Sequence, residues 1–180
     1  MNILRVWGGG TYESDICYEW ADEKGILIWQ DMMFACALYP VDEDFLNNVK
    51  KEINHQIRRL RHHPSVLVWT GNNENHVAIK SNWWQSANYS TETMIDDYLK
   101  LYKETIGSIV KELDPSRPYL LSSPSNGAVT EQYGGMDDNP NSEFYGDVHF
   151  YSETKNLWKD FSYMIPRCAT EYGVQSLPLK

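Results

Sequence analysis

The chain has 180 residues, 42% of them hydrophobic and 23% charged, with 25 acidic against 16 basic side chains and a formal net charge of −9. That balance belongs to a folded globular chain and excludes a disordered tail, while the negative charge disfavours general nucleic-acid binding. No run of ~18 apolar residues is available to span a membrane. Three isolated cysteines (Cys17, Cys36, Cys168) make neither a zinc ribbon nor a disulfide scaffold. The start, Met1 to Trp7, reads without the basic-then-apolar layout of a signal peptide. The only concentrated basic stripe, Arg58, Arg59, Arg61, His62 and His63, is short and precedes an apolar run. Aromatic content is high, with 5 Phe, 7 Trp and 12 Tyr. In an acidic chain such an excess suits stacking on an uncharged ligand, and sugars are one such class.

In chain order, Ile3 to Trp7 reads as a strand stopped by Gly8-Gly9-Gly10. A helix is expected from about Ser14 to Lys24, with Gly25 in the position that ends helices. Ile26 to Gln30 is the next strand and runs straight into Asp31. After Pro40 a long helix carries Phe45, Val49, Ile53, Ile57 and Leu60 at spacings of three or four. Val66 to Thr70 is a third strand, leading into Gly71-Asn72-Asn73-Glu74-Asn75. A helix is expected over about Thr93 to Leu113, ended by Asp114-Pro115. Pro118 to Leu121, Asp147 to Tyr151 and Arg167 to Thr170 complete six strands. The segment from Gly127 to Phe144 reads as loop.

Strands separated by helical patterns imply parallel pairing with right-handed crossovers, in either an open doubly wound sheet or a (β/α)8 barrel. Nearly every strand ends in a residue with no packing reason to be there: Trp7, Asp31, Glu74, Ser122, His149 and Glu171. Functional groups at many strand ends mark a barrel, whose ends converge on one mouth, so an α/β fold with an incomplete TIM barrel is expected. Six strands are two short of eight, and the chain reads as a fragment.

Glu74 and Glu171 both stand at barrel strand ends, as glycoside hydrolysis requires of a proton donor and its partner carboxylate. Glu74, as the acid, is expected to have a pKa raised by burial and by Glu171. Asn73 either bonds the sugar 2-hydroxyl or is a turn residue, since Asn72-Asn73 after Gly71 also suits a loop. Gly8–Gly10 lacks the spacing of a phosphate loop and reads as a tight turn exposing Trp7. Asp31 is either a ligand candidate or the holder of a neighbouring loop, and His149 is either a ligand contact or a buried, satisfied histidine. Trp83, Trp84 and Trp158 are core or sugar platform. His55, His62 and His63 lack zinc-ligand spacing, so no metal is expected.

These segments, from Arg5-Val6-Trp7-Gly8-Gly9-Gly10 and Trp29-Gln30-Asp31 through Phe34-Ala35-Cys36-Ala37-Leu38-Tyr39-Pro40 and His63-Pro64-Ser65, closely resemble one family. Trp69-Thr70-Gly71-Asn72-Asn73-Glu74-Asn75, Asp147-Val148-His149-Phe150-Tyr151 and Thr170-Glu171-Tyr172-Gly173 complete the set. The family is the β-mannosidases of glycoside hydrolase family 2, and the animal lysosomal type is nearest. The resemblance implies that Glu74 is the acid/base after barrel strand four and Glu171 the nucleophile on strand seven. It places Trp7, Asp31, Asn73 and His149 in the sugar pocket. It further implies a retaining exo-β-mannosidase of N-glycan catabolism, needing no cofactor, with residues 1–180 as part of the catalytic barrel and the family's amino-terminal β-sandwich domains absent. His76 departs from the resemblance, since similar enzymes often carry a second acid there. A family 2 galactosidase or glucuronidase, a non-catalytic sugar-binding barrel and a nucleotide-binding domain are the alternatives. Asn88-Tyr89-Ser90 is an acceptable glycosylation sequon.

Overall fold

A computed structural model describes residues 2–84 and 88–173. Four strands, β1 (Ile3–Val6), β2 (Leu27–Asp31), β3 (Val66–Thr70) and β4 (Tyr119–Leu120), pair in parallel and in that order. A further parallel pair is formed by β5 (Asp147–Tyr151) and β6 (Cys168–Gly173). The expected strands are all present, two of them (β3 and β5) with the expected bounds. The sixth extends further than expected, so Glu171 lies inside it rather than after it.

The register holds the strand ends level. Val6 stands beside Gln30, and Asp31 beside Thr70. Beyond β3 the chain continues alongside its neighbours, with Asn73 bridging Ala35 on one side and Ser123 on the other. The two sheets meet at an antiparallel bridge between Ser125 and Asp147. A side chain at Gly146 would overlap the Ser125 carbonyl, so this junction needs the glycine. Six parallel strands in sequential order, with helices between the first four, are an incomplete (β/α)8 barrel.

The helices behave as their sequences require. In α1 (Asp15–Lys24), Gly25 adopts a left-handed φ of 66° and its N–H returns to Ala21 and Asp22, the glycine-terminated ending expected. In α2 (Glu43–Leu60), Asp42 accepts from the Phe45 N–H at 3.0 Å and caps the first turn. Leu46, Val49, Ile53, Ile57 and Leu60 all face inward and are buried. A short helix α3 (Asn75–Lys80), which the sequence did not announce, follows Glu74. The expected helix from Thr93 begins slightly earlier, as α4 (Thr91–Tyr98) capped by Ser90. It then passes through a π-helical stretch, Leu99–Ile106, into α5 (Gly107–Leu113). The loop expected over 127–144 contains a five-residue helix, α6 (Ala128–Gln132). Asn88 is exposed and non-helical, as a sequon requires.

One apolar core joins β1–β3 to α1, α2 and α4–α5. Trp69 is fully buried within it, its indole N–H bonded to Asp114 at 2.9 Å. This packing sets the position of everything at the carboxyl ends of the strands. No helix of the described residues is long and apolar enough to cross a membrane.

Candidate active site

The site forms where β1, β3, β5 and β6 converge. His149 pairs with Glu171 in the β5–β6 register, so both side chains leave the same face. Glu74 arrives from the segment after β3 and holds a left-handed φ of 64°, a conformation that a residue with a Cβ adopts only when its surroundings impose it. Its N–H is fixed to the Ser123 carbonyl at 2.8 Å. One oxygen of Glu74, one nitrogen of His149 and one oxygen of Glu171 lie within 4.8 Å of one another. Two glutamates distant in sequence thus become neighbours.

Arg5 organises this cluster. Its Nη1 donates to Glu171 at 3.0 Å, and Nη2 donates to Asp31 at 2.7 Å and to the Asn73 side-chain oxygen at 2.8 Å. Burial alone would lower its pKa, but Asp31, then Glu171 and Asp147, raise it overall and keep it cationic. Nη1 also lies 3.2 Å from His149 Nε2. The Glu74 carboxylate can only accept, so His149 Nδ1 carries the proton given to Glu74 Oε1 at 2.8 Å. The Tyr151 hydroxyl donates to the second Glu171 oxygen at 2.6 Å. The Cys36 thiol donates to Glu74 Oε2 at 3.4 Å and receives the Asn73 amide at 3.4 Å.

The expectation that Glu74 would have a raised pKa is corrected. Burial alone would push its carboxyl up, but the hydrogen bond from His149 and the charge of that ring, with smaller contributions from Cys36 and Arg5, hold it below the ordinary carboxylate value. Burial, and then the bond to Glu74 with its negative charge, push the Cys36 thiol up to about 11, so it stays protonated and donates.

The other residues picked out from the sequence divide by exposure. Trp7 is 48% exposed and lines an open hollow of about 310 Å³ with Arg5, Thr170 and Glu171. Its loop needs Gly8 without a side chain, because a Cβ there would press on the Met32 and Phe34 carbonyls. Asp31 is fully buried, and its carboxylate is held by Arg5 and by the Gly8 N–H at 3.1 Å. It supports the wall of the site instead of presenting itself to a ligand. Asn73 is nearly buried, between Arg5 and Cys36. The His149 side chain is only 2% exposed and has both ring nitrogens engaged, the buried and satisfied reading. Ser122 is buried and bonds Asn72; its neighbour Ser123 is the residue that reaches the site. His76 is fully buried, with Nε2 on the Asp137 carbonyl, and burial lowers its pKa. Trp83 is half exposed, Trp84 packs on the core, and Trp158 is almost entirely exposed.

Four contributors were missed: Arg5, Cys36, Tyr151 and Asp147. A signal existed for two of them. Arg5 is a charge inside an apolar strand, which must find a partner when buried. Tyr151 lies two residues beyond His149 and therefore on the same strand face. Asp147 ties β5 and β6 to the loop after β4, accepting from Ser123 and Thr170 at 2.6 Å and from the Ser125 N–H at 2.9 Å. By donor type, Glu74, His149 and Glu171 could ligate a cation. However, His149 Nδ1 already donates to Glu74, and the Arg5 guanidinium stands against both Glu171 and His149, where a second positive charge would be repelled.

Comparison with known proteins places this geometry in a family. Residues 13–179 match the model of the TIM barrel domain of glycosyl hydrolases family 2. A probable β-mannosidase of Caenorhabditis elegans is 51% identical over 180 residues, which are 100% of this chain and 20% of that one. The β-mannosidase of Capra hircus is 51% identical over 178 residues, 99% of this chain and again 20% of the relative. The crystal structure of a β-D-mannosidase from Dictyoglomus thermophilum is 42% identical and superposes with a TM-score of 0.78. That match covers 99% of this chain and 20% of the solved one. The chain therefore belongs to glycoside hydrolase family 2 and spans about one fifth of the length of these relatives.

Proposed function

We propose that this member of glycoside hydrolase family 2 supplies the catalytic centre of a retaining exo-β-mannosidase, with Glu171 as nucleophile and Glu74 as acid/base. The observation that carries this reading is the contact between the two glutamates, with oxygens within 4.8 Å. An approach of single oxygens to within 4.8 Å suits the closely set carboxyl groups of double displacement (~5–5.5 Å) better than the wider pair (~6.5–9.5 Å) that admits a water in one-step inversion. The different partners of the two acids support the division of roles. Glu171 is held on one oxygen by the Arg5 guanidinium and on the other by the Tyr151 hydroxyl, which fix the orientation of its carboxyl group. Glu74 is held instead by His149 Nδ1 at 2.8 Å and by the weaker Cys36 thiol at 3.4 Å.

In the first step the Glu171 carboxylate attacks the anomeric carbon, the bond to the leaving oxygen breaks, and Glu74 gives that oxygen its proton. In the second, Glu74 takes a proton from water as the water attacks the same carbon, and the Glu171 carboxylate is released. Asn73 offers its amide to the 2-hydroxyl, and Trp7 offers an apolar face to the sugar. Glu74 sits below the ordinary carboxylate range, so the proton that it gives in the first step is held only toward acidic pH. This suits a lysosomal setting and terminal β-mannose of N-glycan-derived oligosaccharides, as the resemblance to the animal type implies.

The test uses a full-length protein carrying this segment. It should hydrolyse an aryl β-mannoside and not the matching galactoside; the reverse preference discards the mannosidase reading. A 2-fluoro mannoside with a good leaving group should accumulate as an ester on the peptide containing Thr170-Glu171-Tyr172. A label on Glu74 reverses the roles, and inverted product without label removes double displacement.

A further inference from the structure

Cys36 is a partner of Glu74 that no catalytic role yet explains. It lies in the segment after β2, at a left-handed φ of 44°. That segment is pinned along Glu74's own: the Cys36 N–H bonds the Asn73 carbonyl at 3.0 Å, and the Ala37 N–H bonds the Asn75 side chain at 3.1 Å. Two strained, mutually fastened backbones therefore bring a thiol and a carboxylate together. The Glu74 oxygens are not held alike. Oε1 takes a nitrogen donor at 2.8 Å, whereas Oε2 takes the thiol at 3.4 Å. A thiol is a weak donor, and its bond is easily exchanged. Oε2 is thus the oxygen free to carry the catalytic proton.

We propose that Cys36 is a positioning residue for Glu74, its thiol holding Oε2 in place and giving way to the glycosidic oxygen when the leaving group docks. This rests on the acid/base role proposed for Glu74. A stronger donor at the same place would hold Oε2 as an anion and oppose its protonation, while no donor would leave Oε2 without a neighbour to fix it. The other charged and titratable groups facing this pair are Arg5 from β1, His149 and Tyr151 from β5, and Glu171 from β6. None of them lies on the Cys36 segment, so exchanging Cys36 leaves them in place.

The experiment compares Cys36→Ser and Cys36→Ala in the full-length protein, with two readouts. On a mannoside with a poor leaving group, the alkaline limb of the kcat/KM profile reports the free acid. It should move to lower pH in Cys36→Ser and to higher pH in Cys36→Ala, each by roughly half a unit, given a hydrogen bond between weak and ordinary strength. Superimposed profiles overturn the proposal. The second readout needs no turnover. Alkylation of Cys36 by iodoacetamide, resolved by peptide mapping, should become about tenfold faster in Glu74→Gln, because loss of the neighbouring charge raises the thiolate fraction. Cys17, on α1, should be unaffected. Equal Cys36 rates in both proteins overturn the proposal even if the mannosidase reading stands. A faster rate in a protein without mannosidase turnover upholds the thiol–carboxylate pair and discards the substrate assignment alone.

Discussion

The arc β1–β4 and the pair β5–β6 share one kind of hydrogen-bonded ladder but are held by different forces. Behind the arc, α2 and the α4–α5 helix bury Leu46, Ile53, Ile57, Leu101, Ile106 and Val110, and the core is continuous. Around β5–β6 the large apolar side chains stay in the open: Trp158 is 95% exposed, Ile165 88% and Phe161 85%. What fastens this pair to the arc is polar. Asp147 gathers Ser123, Ser125 and Thr170, and Arg5 reaches across from β1 to Glu171. Glu74 thus stands on the apolar-supported half and Glu171 on the polar-stitched half. Within this segment, about one fifth of its relatives' length, the difference is between strands backed by packed helices and strands joined to the rest by side-chain hydrogen bonds.

The largest test of this contrast is Arg5→Ala. It would strand Asp31 as a buried, uncompensated charge, a change that typically costs about 3–5 kcal/mol, and it would unfasten Glu171 at the same time. Urea unfolding and turnover of the full-length protein should both fall steeply. Adding Asp31→Asn should recover part of the stability and none of the activity. An Arg5→Ala protein as stable as its parent would show that the two halves are not joined through this cation.

Next in size is a pair of truncations that separates apolar support from exposure. Ile53 is fully buried in the arc, and Ile53→Ala should cost about 2–5 kcal/mol for lost contacts and a cavity. Trp158→Ala removes a larger side chain yet should stay within about 0.5 kcal/mol in the 180-residue chain, where that side chain is 95% exposed. Similar denaturation midpoints for these two variants would erase the distinction between the halves.

The smallest effect is a matter of pH. In the arc, Asp22 accepts from the Ser65 N–H at 2.8 Å and pairs with His63 at 2.6 Å. Burial alone would raise its pKa, but these bonds lower it overall. A carboxyl lower in the folded than in the unfolded chain stabilises above its unfolded pKa, and that contribution is lost as pH falls through the folded one. Melting temperature followed downward from about pH 5 should therefore decline less in Asp22→Asn than in the parent. Parallel declines would show that Asp22 contributes nothing to the acid side.

Much of the scaffold was legible along the chain. The inward face of α2, the glycine ending of α1 and the bounds of β3 and β5 follow from spacings of apolar residues and from turn residues a few positions away. The resemblance also singled out Glu74 and Glu171 by their surrounding motifs. The π-helical stretch within α4–α5 was not legible: the Tyr119 hydroxyl, from another element, donates to the Tyr102 carbonyl inside it, a contact that local spacing does not encode. The six-residue helix after Glu74 does carry a local mark, the Asn72 side chain accepting from the Asn75 N–H.

The sequence by itself determined the alternation of strands and helices, the barrel class and the two acids, since all of these depend on neighbours in the chain or on recurring motifs. Only the tertiary structure decided that Arg5 bridges Asp31, Asn73 and Glu171, and that His149 is buried between the acids instead of open to ligand. It also decided that Glu74 is lowered, not raised. The reason is physical: a pKa or a hydrogen-bond partner is set by groups within a few ångströms, and barrel curvature brings those groups from strands far apart in sequence.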